Sequence, residues 1–118
     1  MRTLTMALYA EGSTDYRFLT TLIQRTAEKI LCAGRASDVS VLDPLPIEHV
    51  EGTTGAEKIF NAAQLAKGMD LLVIHLDADG RQLELARKER FQPGLDRVRS
   101  SDTKACVTLI PIIPIKNI

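Results

Sequence analysis

Two apolar runs, Leu4 to Ala10 and Leu71 to Leu76, each end in a short acidic turn, and this repeated pattern narrows the folds open to the chain. The first run reads out into Glu11-Gly12-Ser13-Thr14-Asp15 and the second into Asp77-Ala78-Asp79-Gly80. Apolar runs without polar alternation belong to strands buried on both faces, and such strands sit in parallel sheets with helices above and below. In an open parallel sheet, ligands bind at the carboxyl ends of the strands. Glu11, Asp77 and Asp79 are therefore expected together at one edge of the sheet. Three carboxylates there repel one another unless a positive group sits between them. A hard divalent cation held by oxygen ligands is the usual solution, so Mg²⁺ (or Mn²⁺) is the expected cofactor.

The segments between the runs supply helices. One is predicted from about Thr14 to Cys32, where Phe18, Leu19, Leu22, Ile23, Ala27, Ile30 and Leu31 recur at spacings of three and four. Ser13 or Thr14 suits its cap, and Gly34 falls just past its end. Val39 to Leu42 reads as a short strand, stopped by Asp43-Pro44-Leu45-Pro46, which begins a loop. Thr54-Gly55-Ala56-Glu57 has the capping-box pattern and opens a second helix with Ile59, Phe60, Ala63 and Ala66 as its buried stripe and Gly68 at its end. Asp70 to Leu76 is the next strand. His75 inside it reads as a hydrogen-bonded core residue rather than a ligand. Arg81 to Phe91 reads as a charged helix stopped by Gln92-Pro93-Gly94, with a short helical piece over Leu95 to Arg99. Lys104 to Ile113 is the last strand, with Pro111 at its far end. Strands alternating with helices imply an α/β fold, a Rossmann-like parallel sheet of about four strands with helices on both faces. At 118 residues the chain suits a single domain spanning 1–118.

Charge limits the partners. The formal net charge is zero, which gives no global attraction to nucleic acid or to an anionic membrane, so a polyanion would need a local patch or a metal. Between Arg81 and Lys104 seven basic residues face four acidic ones, an excess of three that reads first as a solvated helix face and second as a binding surface. No stretch approaches the ~20 apolar residues of a membrane span, and the first residues are too polar for a signal peptide. Cys32 and Cys106 match no metal spacing and read as buried thiols of a reducing, cytoplasmic compartment. Leu109 to Ile118 is apolar up to the last residue, where a free terminus is ordinarily polar. The expectation is that the protein continues past Ile118, or that a second copy or another partner covers this segment.

Glu11 leaves its strand before Gly12, which permits a tight turn, and is placed to move a proton or to ligate the metal. Asp77 and Asp79, with one residue between them, face one side if the chain leaves the strand extended, and so form a hard-cation ligand pair. Taken alone, each motif has an ordinary reading: Asp77-Ala78-Asp79-Gly80 as a turn, Asp15 as a helix-start charge, and Thr53-Thr54-Gly55 as a cap rather than a phosphate site. His49, with Glu48 and Glu51 beside it, reads as a solvated loop cluster.

In their joint order the two motifs resemble the Toprim domain, shared by topoisomerases, bacterial-type primases and the overcoming-lysogenization-defect nucleases. Leu8-Tyr9-Ala10-Glu11-Gly12 matches its apolar strand ending in Glu, and Val73-Ile74-His75-Leu76-Asp77-Ala78-Asp79 its strand ending in Asp-x-Asp. The resemblance implies a Toprim-like sheet and Mg²⁺-dependent phosphodiester hydrolysis on DNA or RNA, with Glu11 transferring protons and Asp77 and Asp79 holding metal. Arg81 stands where many Toprim domains carry a further acid, which leaves a one-metal site or a second metal with ligands from elsewhere, and from its position it is a candidate phosphate contact. Tyr9 lies in a strand and Tyr16 in the first helical turn, so neither suits the nucleophile of a topoisomerase. Nuclease is the family activity that fits a small chain. The rival expectation is a non-catalytic module of the same fold that binds nucleic acid or a partner protein. Receiver domains and haloacid-dehalogenase-like phosphatases also place Asp at strand ends, but the phosphatases want Asp-x-Asp after the first strand, where this chain has Glu11.

Overall fold

The computed structural model describes residues 2–11, 16–34, 38–76, 91–100 and 108–112. Its strands are β1 (Arg2–Leu4), β2 (Met6–Ala10), β3 (Val39–Val41), β4 (Leu45–Pro46), β5 (Leu71–His75) and β6 (Thr108–Ile112). Its helices are α1 (Tyr16–Ala33), α2 (Gly55–Leu65) and α3 (Gln92–Arg99). The main sheet has four strands in the order β4-β2-β5-β6, and every pairing in it is parallel. β1 pairs in parallel with β3, which extends the same two neighbouring chain segments backwards. The expected α/β architecture with a parallel four-stranded sheet is therefore what the chain forms.

Period-two alternation sorts the central strands onto two cores. Met6, Leu8, Ala10 and Val73 turn to one face, where Leu19 and Ile23 of α1 cover them. Ala7, Tyr9, Leu72 and Ile74 turn to the other, under Ile59, Ala62, Ala63 and Ala66 of α2 and its flank and Val98 of α3. Each fully buried branched side chain here stabilises the fold by about 1.5–3 kcal/mol. A helix layer thus lies on each face of the sheet. No helix among the described residues is long and apolar enough to cross a membrane.

Several local expectations need correcting. The first strand is interrupted at Thr5, because Asp70 captures it: the Thr5 amide and hydroxyl donate to Asp70 Oδ2 at 2.9 and 3.1 Å. The segment before that break is more exposed than the fully buried Met6–Ala10. Only Leu19 and Ile23 of the α1 stripe are buried, and Phe18 and Ile30 remain 64% and 65% exposed. Apolar periodicity shows which face a helix turns inward, but Leu22 and Ile30 line an open apolar cavity with Leu71, Val73 and Ile110 instead of closing onto the sheet.

Asp43-Pro44-Leu45-Pro46 does not simply end in a loop. Leu45–Pro46 pairs with Ala7–Leu8 as an outer strand, where the missing Pro46 amide costs no ladder bond and the Ile47 amide donates to Leu8 O at 2.8 Å. Gln92-Pro93-Gly94 forms the first turn of α3, where proline is tolerated, so this helix begins three residues before the expected Leu95. Cys32 is exposed, not buried. His75 at the end of β5 is partly buried, with its Nδ1 shut off from solvent. Ser13, Thr14, Cys106, Arg81 to Arg90 of the charged helix, and Lys104 to Val107 and Ile113 of the predicted last strand lie outside the described residues. In the apolar terminal segment Leu109 is buried, while Ile110 keeps 37% of its surface exposed.

Candidate functional site

The sheet reverses its winding between β2 and β5. α1, which follows β2, lies on one face, whereas α2 and α3 lie on the other. At such a switch point the two loops leaving the strand ends diverge and open a crevice, the position where ligands bind in open α/β sheets. Glu11 stands just past the end of β2 at this switch point. The register pairs Ala10 with His75, and the Glu11 amide donates to His75 O at 3.0 Å, so the ladder runs on to Glu11. One step further along β5 is Leu76, which is fully buried and fixes the strand end to the core. Asp77, Asp79 and Arg81 lie outside the described residues. Glu11 is the one member of the expected set whose surroundings are described. Among the described residues no three His, Cys, Asp or Glu side chains gather as a metal cluster.

Tyr16 anchors the end of β2. Its hydroxyl lies 3.3 Å from the Ala10 amide, which donates to it, and 3.3 Å from Ile47 O, which can accept its proton. A helix-borne side chain thus ties the residue before Glu11 to the neighbouring β4 segment. Tyr16, in the first turn of α1, is thus an anchor of the strand end, a role that depends on contacts with Ala10 and Ile47 and is not visible in the local sequence.

A cavity of about 350 Å³ opens beside Glu11, lined by Tyr9, Glu11, Thr53, Thr54, Gly55, Ala56 and Lys58. It brings the acid from β2 to the N-terminus of α2, residues far apart in sequence. Thr54 caps that helix as expected, accepting from the Glu57 amide at 3.1 Å. The return arm of the box falls one residue earlier than the pattern implies. Glu57 Oε2 accepts from the Thr53 amide and hydroxyl, both at 3.0 Å. The Thr53 amide bond, then the Thr53 hydroxyl, hold the Glu57 carboxyl below its ordinary range, with Arg97 adding a smaller pull. Burial, then the Glu11 carboxylate and the Tyr16 phenol, push the Tyr9 phenol above its usual value, so it remains a proton donor at neutral pH.

Tyr9 and Lys58 were not singled out as site residues from the sequence, because nothing local connects a strand tyrosine to a lysine one turn into a distant helix. Thr53-Thr54-Gly55 was legible as a cap, but its neighbour Glu11 was not. Glu48, His49 and Glu51 are exposed, in keeping with a solvated loop. Arg97, from the basic stretch, lies 5.1 Å from the Phe60 ring centre and 4.0 Å from Glu57, so its charge is turned at least partly toward α2. No family model matches the chain, and no curated protein or solved structure matches it.

Proposed function

We propose that this chain is a Toprim-like, divalent-metal-dependent phosphodiesterase acting on nucleic acid. The observation that carries the reading is the Glu11 amide bonded to His75 O across the β2–β5 switch point, two residues before Asp77 in the chain. The two acidic motifs thus leave adjacent parallel strands at the same end of the sheet, as a shared site requires.

In this reading Asp77, Asp79 and Glu11 hold Mg²⁺ or Mn²⁺, and Arg81 contacts a phosphate oxygen. The metal supplies Lewis acidity toward the phosphodiester and a more acidic bound water. Glu11 moves the proton, and the hydrogen bond at its amide together with the Tyr16 anchor on Ala10 keeps its backbone fixed while it does so. DNA or RNA is the substrate. The compartment is the reducing cytoplasm, where an exposed thiol such as Cys32 persists.

Melting temperature against Mg²⁺ and Mn²⁺ concentration tests the metal, with cleavage of plasmid DNA and of a structured RNA measured in parallel. A site filled at a hundredfold excess over Kd adds about 2.7 kcal/mol to the folded state. The Asp77→Asn, Asp79→Asn double variant is expected to lose that stabilisation, and Glu11→Gln to lose cleavage. Equal metal-induced shifts in parent and double variant would remove these residues as ligands. Metal binding with tight nucleic-acid binding and no cleavage would favour the non-catalytic module instead.

A further inference from the structure

We infer that the cavity at the head of α2 is an oxyanion subsite, in which the amides of Gly55 and Ala56, the Lys58 ammonium and the Tyr9 hydroxyl receive one phosphate group beside Glu11. Two independent features meet there. The first is the helix terminus. Thr54 occupies the Glu57 amide, but the Gly55 and Ala56 amides have no hydrogen-bond partner among the described residues. A carboxylate or phosphate at such a position is favoured by both the amides and the helix dipole. The Glu57 carboxylate does not fill the place, because it is turned back onto Thr53.

The second feature is Tyr9. Its side chain is only 7% exposed, lines the same cavity, and has no hydrogen-bond partner for its hydroxyl among the described residues. The hydroxyl of this otherwise buried side chain keeps contact with solvent at the cavity wall, where it can donate to a ligand oxygen. Lys58 adds a full charge. It is half-buried and has no carboxylate within salt-bridge distance among the described residues. Its stem runs past Gly52, where a Cβ would lie 3.0 Å from Lys58 Cγ and where φ is +144°, so glycine at 52 leaves the space the lysine uses. At Gly55, by contrast, an added Cβ would meet nothing in the protein within 4 Å, which leaves room for a ligand to approach the backbone closely.

The assignment of this oxyanion to a backbone phosphate of nucleic acid rests on the function proposed above; the binding of an oxyanion does not. Glu11 lines the same cavity and repels a bare anion, so the site is expected to be weak without a cation.

The test is inorganic phosphate titrated into the ¹⁵N-labelled chain in EDTA, with amide shifts followed at Gly55 and Ala56. Saturable shifts centred on these two amides are expected. Lys58→Met and Tyr9→Phe should each weaken binding by up to about tenfold, the scale of one hydrogen bond to a charged group. Gly55→Ala should weaken it while the rest of the spectrum keeps the parent's dispersion, and Glu11→Gln should tighten it. Absence of saturation at about 50 mM phosphate, where even a millimolar site fills, overturns the subsite, as does parent-like binding in Lys58→Met and Gly55→Ala together. A short single-stranded oligonucleotide without terminal phosphate should shift the same amides, and shifts with free phosphate alone would overturn the backbone assignment. Phosphate binding without metal-dependent cleavage supports the subsite and removes the nuclease reading alone. Cleavage without phosphate binding removes the subsite alone.

Discussion

Gly94 has no room for a methyl group. A Cβ there would stand 2.7 Å from both Cβ and Cγ2 of Ile59, and the first of these atoms is fixed to the α2 backbone and cannot rotate away. Two opposing effects act in Gly94→Ala. Alanine is better than glycine in a helix by up to about 1 kcal/mol, and less so in a first turn. Overpacking a close helix contact costs about 1–3 kcal/mol. The second is expected to win, so Gly94→Ala should lower the denaturant midpoint at unchanged slope. Ile59→Ala in the same chain should recover part of the Gly94→Ala loss in a double-mutant cycle, since it removes Cγ2 and Cδ1. A Gly94→Ala protein as stable as the parent would mean that α3 shifts away from α2 at no cost.

At the scale of elements, the α2 cap is a pH-dependent clasp. The Glu57 carboxyl is held below its ordinary range by the Thr53 amide first, so it binds protons less readily in the folded than in the unfolded chain. Its contribution is therefore fully present above the unfolded carboxyl value and fades as pH falls through the folded one. Glu57→Gln should flatten the acid limb of the stability–pH curve and lower the neutral-to-alkaline plateau without changing its shape, measured by urea unfolding at a series of pH values. An identical acid limb in the variant would assign the effect to other carboxylates. The second clasp is Tyr16. Tyr16→Phe should cost about 1 kcal/mol and speed amide exchange at Ala10 and Glu11 before it affects β6.

These elements also show what a sequence can disclose. The cap at Thr54 was legible because its partners sit within four residues. The direction of Gln92-Pro93-Gly94 was not, because proline suits the turn before a helix, its first turn and the stretch after its end alike. The strand ends bearing acids could be located from apolar runs. The meeting of Glu11 with Tyr9, Thr54 and Lys58 could not, since it depends on how α2 crosses the sheet.

For the whole molecule, the decisive quantity is charge. A formal net charge of zero gives no long-range pull on a polyanion, so affinity for nucleic acid must come from few, local contacts. Each phosphate neutralised by the protein contributes to the salt dependence, with a slope of about −0.7 per contact on single strands. If the α2 subsite with Lys58 supplies the main contact in the absence of metal, log K against log salt concentration should fall with a slope near that of one contact, by fluorescence anisotropy in EDTA. Lys58→Met should flatten it further. A slope several times steeper would instead reveal a broad basic footprint, for which the excess of positive residues between Arg81 and Lys104 is the evident source. Adding Mg²⁺ separates the cases again. A site completed by a bridging cation gains affinity as metal is added, because the carboxylate that repelled the phosphate now shares a positive partner with it. A purely basic footprint loses affinity, because Mg²⁺ competes for the phosphates. The sign of the Mg²⁺ effect, at constant ionic strength, therefore decides between an acidic, metal-completed centre at the β2–β5 switch point and a basic binding face elsewhere on the chain.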